Sequence, residues 1–298
     1  MVTQAQKVQA KAQADTSASG VTTPAEVWDE TNIALHERTL YPTIRVRTPK
    51  ATGSGTILYC KDREEPDEDG ELGFSTYALT NHHVVSDAIR VEKAYDPLQG
   101  KQITRDYRDR VQVDGFRYKN RSTITTRATT EADIMAYNEK RDLALIRLVS
   151  NEEFPFVARL LPAAESREVH MYDKLFVVGC GLGQPPFPTD GMLTGKDVQI
   201  DYYPYWQTSA PSIFGNSGGA VFLARTLQLI GVPSRVSTTG GMFSSSAVTH
   251  MGYFCPPNEI TKFLADQGFH FLYDSTHTEA EDLQALADKD NEDDDEDE

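Results

Sequence analysis

The sequence predicts an all-β fold, a sandwich or a barrel, on three observations. Short β-rich runs of four to eight residues recur from Tyr41 onward. Thr43–Arg47 alternates polar and apolar residues at period two. Turn chemistry separates the runs, as in Asp69-Gly70, Asp114-Gly115 and Asp190-Gly191.

Taken in order, residues 1–23 are polar and poor in large apolar side chains, and are expected to be disordered. Residues 24–38 suit a helix led by Pro24, so that 1–40 reads as a partly disordered extension. Strands are then expected at 43–47, 55–60, 74–80, 88–93, 111–118, 122–127, 143–149, 174–179, 196–202, 220–223 and 228–232. One helix closes the folded part. Asn258 is placed to cap it, Ile260, Phe263 and Leu264 form its apolar face, and Gly268 is placed to end it. Beyond Asp274 the chain turns polar and then acidic, and 275–298 reads as a disordered acidic tail.

Composition excludes some functions. The net charge is −16, and residues 279–298 alone hold twelve acids against one lysine. General binding to nucleic acid or to an anionic membrane is not expected. Three cysteines, Cys60, Cys180 and Cys255, do not make a disulfide framework and suit a reducing compartment. No apolar run has the length of a signal segment or a membrane helix, so the reading is cytoplasmic.

Three segments carry chemistry. In Phe214-Gly215-Asn216-Ser217-Gly218-Gly219 a serine sits between glycines ahead of an apolar run. Glycine permits a tight loop whose N–H groups converge on a substrate oxygen. In Leu79-Thr80-Asn81-His82-His83-Val84-Val85 a histidine pair ends an apolar run. In Arg141-Asp142-Leu143-Ala144-Leu145-Ile146 an acid opens one. A neutral serine hydroxyl is a weak nucleophile, so an imidazole must take its proton, and a carboxylate must hold the other ring nitrogen. The order His, Asp, Ser, with gaps of 59 and 75 residues between His83, Asp142 and Ser217, meets that requirement.

With these motifs, and with Gly53-Ser54-Gly55-Thr56-Ile57, Val178-Gly179-Cys180-Gly181-Leu182-Gly183 and Gly252–Asn258, the chain over roughly 41–267 resembles trypsin-like serine proteases, most closely the Deg (high-temperature-requirement) branch. The resemblance implies two six-stranded antiparallel β-barrels, the chymotrypsin-like double barrel, with a C-terminal helix. Residues 41–153 would supply His83 and Asp142, and 154–274 would supply Ser217. It selects His83 over His82 as general base, with Asp142 to orient it and Ser217 as nucleophile. It implies an oxyanion hole at Gly215 and Ser217. It puts Pro211 at the floor of the primary pocket, with Ser234 and Arg235 near its wall. Proline brings no charge, which favours a neutral, small or aliphatic substrate residue, while Arg235 would favour an acidic one. The segment Thr238–Ser246 reads as a loop beside the pocket. Asn216 stands where classical trypsins carry an acid, so activation through a newly cut N-terminus is not expected. The peptide-binding domains of that branch are not expected, since the residues after the protease region leave no room for one.

The implied activity is an intracellular endopeptidase acting through an acyl-enzyme on a protein or peptide substrate, with no cofactor and no metal. Two other readings stand beside it: a binding or structural protein on a protease fold, and a processing protease held quiet until an activating protein arrives. The acidic loop 61–71 reads as a solvated hairpin rather than a calcium site. Residues 90–127 hold ten Lys or Arg against five acids, a surface on which Glu292–Glu298 could dock; a solvated tail is the simpler expectation.

Overall fold

Two closed rings of six antiparallel strands stand side by side in the computed structural model. It describes residues 24–63, 70, 72–96, 101–241 and 244–295. The first ring joins β1 (Thr43–Arg47), β2 (Thr52–Asp62), β3 (Phe74–Thr80), β8 (Leu143–Val149), β7 (Thr123–Asn138) and β6 (Val111–Lys119). The second joins β10 (Phe187–Ile200), β11 (Tyr203–Thr208), β14 (Ser244–Cys255), β13 (Gln228–Gly241), β12 (Ala220–Leu223) and β9 (Lys174–Gly179). A separate hairpin pairs β4 (Ile89–Asp96) with β5 (Lys101–Arg108). Helix α1 (Pro24–Leu35) precedes the first ring. The short α2 (His82–Val85) follows β3, and α3 (Pro257–Asp266) and α4 (Glu279–Asp295) follow the second ring.

Period two explains how the rings meet. Along β8, Ala144, Ile146 and Leu148 fill the first barrel with Val46, Val113 and Ile134. Leu143 and Leu145, on the opposite face, join a shared core with Tyr77 and Leu79 of β3, Val178 of β9 and Phe222 of β12. Val177, Val221, Ile230 and Phe254 fill the second barrel. The shared layer also takes in Phe263, Leu264, Phe269 and Phe271. Burying a large apolar side chain is worth about 1.5–3 kcal/mol, so this layer fixes the two rings against each other. The polypeptide ends of β3, β8 and β12 thereby lie on one seam.

Several local expectations change. The Asp-Gly pairs at 114–115 and 190–191 lie inside β6 and β10 rather than in turns. A Cβ on Gly191 would stand 2.2 Å from the backbone nitrogen of Ala210, so glycine there lets the backbone just after β11 approach closely. Two hairpin turns, β6–β7 and β10–β11, use Asn120-Arg121 and Asp201-Tyr202, all with positive φ. The strand expected at 196–202 ends at Ile200, where the second of these turns begins. Residues 238–241 and 244–247 are not a loop. They extend the β13–β14 hairpin, with Thr238 paired to Ala247. Helix α3 begins at Pro257 with Pro256 in the capping position, and Asn258 lies inside it; Gly268, at φ 78°, follows its end.

The acidic tail is corrected more strongly. Glu279–Asp295 is helical, and Leu283 and Leu286 pack against the shared core. Glu279 Oε1 accepts a hydrogen bond of 2.8 Å from the Tyr77 hydroxyl. An apolar pair one turn apart was enough to dock a helix that composition alone reads as disordered. Asp69, residues 64–68 and 71 of the acidic loop, and residues 296–298 lie outside the described residues.

Asp114 shows what the first Asp-Gly pair is for. Its carboxylate is fully buried and accepts hydrogen bonds from Arg45 Nε (2.8 Å), Arg47 Nη2 (3.1 Å) and Thr129 Oγ1 (2.6 Å). Burial pushes its pKa up, but the bonds from Thr129, Arg45 and Arg47 win and hold it below the usual carboxylate value. A depressed carboxyl gives stability that is full above its unfolded pKa, about 3.9, and is lost as pH falls through the folded value. Asp114→Ala should therefore cost about 3–5 kcal/mol at neutral pH, because it strands two arginines. The gap from wild type should shrink as pH falls below about 3.9. Denaturant midpoints across that range check this, and equal midpoints at neutral pH would contradict it.

Candidate active site

The shared layer delivers three side chains to one cleft. β3 runs into Asn81, and α2 starts directly after it with His82 and His83. β8 is preceded by Asp142, in a left-handed conformation at φ 55°. β12 is preceded by the loop that holds Ser217.

His83 and Asp142 are in direct contact. His83 Nδ1 lies 2.8 Å from Asp142 Oδ2 and 3.0 Å from Oδ1, and the His83 backbone N–H donates to Oδ1 at 3.0 Å. The Ser234 hydroxyl donates to Oδ2 at 2.5 Å. Asn81 Nδ2 donates to the Asp142 carbonyl at 2.6 Å, tying α2 to the turn before β8. Asp142 is buried, whereas the His83 side chain is 48% exposed. An ionised carboxylate only accepts, so it keeps the ring proton on Nδ1 and leaves Nε2 as the acceptor. His82 is not the ring bonded to Asp142. It stacks on Tyr137 (5.3 Å between centroids), and burial lowers its pKa.

Ser217 lines the same cavity as His83, about 400 Å³ in volume. Its loop is held by Ser54 of β2. Ser54 N–H donates to the Ser217 carbonyl (2.7 Å), and Ser54 Oγ donates to the Gly215 carbonyl (2.7 Å) and accepts from Cys180 N–H (2.7 Å). Gly218 has φ 82°, and a Cβ there would come 2.1 Å from the Ser54 carbonyl oxygen, so no other residue fits. The Gly-Ser-Gly motif at 53–55 in β2 thus braces the Ser217 loop, a role its sequence position alone did not reveal.

The loop amides are divided. The N–H groups of Asn216, Gly218 and Gly219 bond to the carbonyls of Ile213, Pro233 and Asn216. Those of Gly215 and Ser217 have no protein acceptor among the described residues. The Phe214 carbonyl accepts from Leu182 N–H at 2.7 Å. Across a trans peptide the Gly215 N–H points the opposite way, and Gly215 has φ 99°. Arg45, anchored on Asp114, donates through Nη1 to the Gly183 carbonyl at 2.5 Å, so the first barrel also braces the 181–183 turn.

The pocket residues divide as well. Ser212, Ile213, Phe214, Pro233, Arg235 and Val236 line the cavity. Pro211 does not. Its side chain is exposed, because the chain turns inward only at Ser212, whose N–H is bound to the Thr249 carbonyl (2.7 Å). Ser234 borders the cavity, but its hydroxyl is committed to Asp142. Arg235 reaches Asp201 (2.7 Å) and lies over the Tyr205 ring, so its charge is already countered. Cys180 and Cys255 are buried and unpaired. Burial pushes the Cys180 thiol up to about 12 and Cys255 well above its ordinary value, so neither offers a thiolate.

Comparison with known proteins gives the family and the fold. The trypsin-like peptidase domain family matches residues 53–232. A probable periplasmic serine endoprotease, DegP-like, of Ectopseudomonas mendocina (strain ymp) is 25% identical over 226 residues, covering 75% of this chain and 36% of its own length. The chain thus spans about a third of that relative. Among solved structures, the HtrA-type protease AlgW with a tripeptide superposes with TM-score 0.55 at 18% identity, covering 81% of this chain and 64% of AlgW. Deg5 superposes with TM-score 0.53 at 19% identity, covering 78% and 92%. At these identities the superpositions speak for the fold. No helix among the described residues is long and apolar enough to cross a membrane.

Proposed function

From the premise that this chain belongs to the trypsin-like peptidase family, we propose that it is a serine endopeptidase with Ser217 as nucleophile, His83 as general base and Asp142 as the orienting acid. The observation that carries the reading is the His83–Asp142 pair at 2.8 Å in the cleft that Ser217 lines. Ser217 Oγ attacks the scissile carbonyl carbon, and its proton passes to His83 Nε2. Asp142 stabilises the imidazolium, assisted by the Ser234 hydroxyl. The N–H groups of Gly215 and Ser217 receive the oxyanion. His83 then protonates the leaving amine, and a water activated by the same nitrogen hydrolyses the acyl-enzyme. The residues named need no metal or cofactor for these steps.

The lining supports a neutral, small or aliphatic residue on the acyl side of the cut. Ile213, Pro233 and Val236 are apolar, and the Arg235 charge is turned to Asp201. Unpaired cysteines support a reducing compartment, the cytoplasm, although the DegP-like relative is named periplasmic. Mass-spectrometric mapping of cuts in an unfolded protein tests the pocket. Cuts should fall after residues such as Val or Ala and vanish with Ser217→Ala. Cuts confined to Arg, Lys, Asp or Glu would reject it.

A further inference from the structure

We propose that His270, His277 and Asp282, remote in role from the protease cleft, form a binding site for a zinc-like divalent transition-metal ion that pins α4 to the body of the protein. His270 lies in the turn after α3, His277 in the loop before α4, and Asp282 in the first turn of α4. His270 Nδ1 is 3.3 Å and His277 Nδ1 is 3.1 Å from Asp282 Oδ1, and the three donor atoms all lie within 4.8 Å of one another. A tetrahedral zinc with bonds of about 2.0–2.1 Å sets its ligand atoms roughly 3.3 Å apart. The two His–Asp distances already match this, and the two imidazole nitrogens, within 4.8 Å of each other, would draw together on an ion.

The surroundings fit as well. Asp282 is buried, and its second oxygen accepts the Phe271 N–H at 2.8 Å, which fixes the carboxylate's orientation. The two imidazole rings stack with centroids 4.8 Å apart and 26° between their planes, each placing Nδ1 toward Asp282. His277 is partly exposed, which gives an ion a way in, and a cavity of about 390 Å³ leaves room for a water as fourth ligand. Two imidazoles and one carboxylate favour zinc and similar ions over calcium or magnesium, which prefer all-oxygen shells. An ion here would join three consecutive segments that also carry Phe269 and Phe271 against Tyr77, on the strand leading to His83. Its expected role is structural, closing the C-terminal segment on the first barrel.

The competing reading is that Asp282 accepts hydrogen bonds from two neutral rings and binds nothing. Calorimetric titration of zinc alone into the full, chelator-stripped chain separates the two, using Ser217→Ala to prevent self-cleavage. About one ion per chain should bind, and binding should survive an added His83→Ala. His277→Ala removes an exposed side chain and should leave the fold intact by circular dichroism. It should weaken binding by more than about 100-fold, since even outer partners of ligands cost 10–100-fold. Cobalt should give the visible bands of a tetrahedral site. No saturable binding, unchanged affinity in His277→Ala, or binding lost only with His83→Ala would overturn the proposal.

Discussion

Ser217→Ala and His83→Ala should each remove peptide hydrolysis, with kcat falling on the order of 10⁴–10⁶-fold and KM changing little. The size follows from how the two groups act. Without the hydroxyl there is no acyl-enzyme. Without the imidazole the hydroxyl keeps its proton, and the leaving amine departs unprotonated. The cavity lining of Ile213, Pro233 and Val236, where the substrate residue is proposed to sit, is unchanged in both variants, which is why KM should hold. The double variant should be hardly worse than either single one, since residues that act as a unit are not additive. A fall of only a few-fold in either single variant would show that these residues are not the reacting pair.

Asp142→Asn should cost about 10⁴-fold in kcat. Three donors converge on this carboxylate: the His83 backbone N–H, the His83 ring N–H and the Ser234 hydroxyl. An amide cannot accept all three. If its oxygen serves the backbone, its NH₂ faces the ring and stabilises the tautomer with the proton on Nε2, the wrong one for accepting from Ser217. The shape is unchanged, so substrate binding should survive. Ser234→Ala gives the graded control. It removes one of the three donors and leaves the tautomer correct, so its loss should be far smaller. Comparable losses for Asp142→Asn and Ser234→Ala would contradict this division of roles.

The β-rich class was legible in short runs such as Thr43–Arg47, whereas the pair of barrels was implied by the family resemblance; the structure shows what joins them. Tyr77 and Leu79, Leu143 and Leu145, and Val178 and Phe222 all alternate with residues of a barrel interior. The serine, histidine and aspartate segments were legible because each ends or opens such a strand. Other features depend on contacts between residues far apart in sequence. Ser54 meets Gly215 and Cys180 across 161 and 126 positions, and Ser234 meets Asp142 across 92. A lone serine carries no sign of such a partner. Asp114-Gly115 misled for the opposite reason: a good turn dipeptide was used for its carboxylate inside a strand. The helix at Glu279–Asp295 was hidden by its charge, because its docking rests on few apolar residues. The pairing of His270, His277 and Asp282 arises only once that helix is docked.

The central claim is that Ser217 is a nucleophile activated by His83. Labelling with a fluorophosphonate probe tests it without knowledge of the substrate, because such a probe reacts with an activated serine. The expected result is labelling of the wild-type chain at Ser217 that disappears in Ser217→Ala and in His83→Ala. A folded wild-type chain that takes up no probe, or a Ser217→Ala variant that still does, would contradict it.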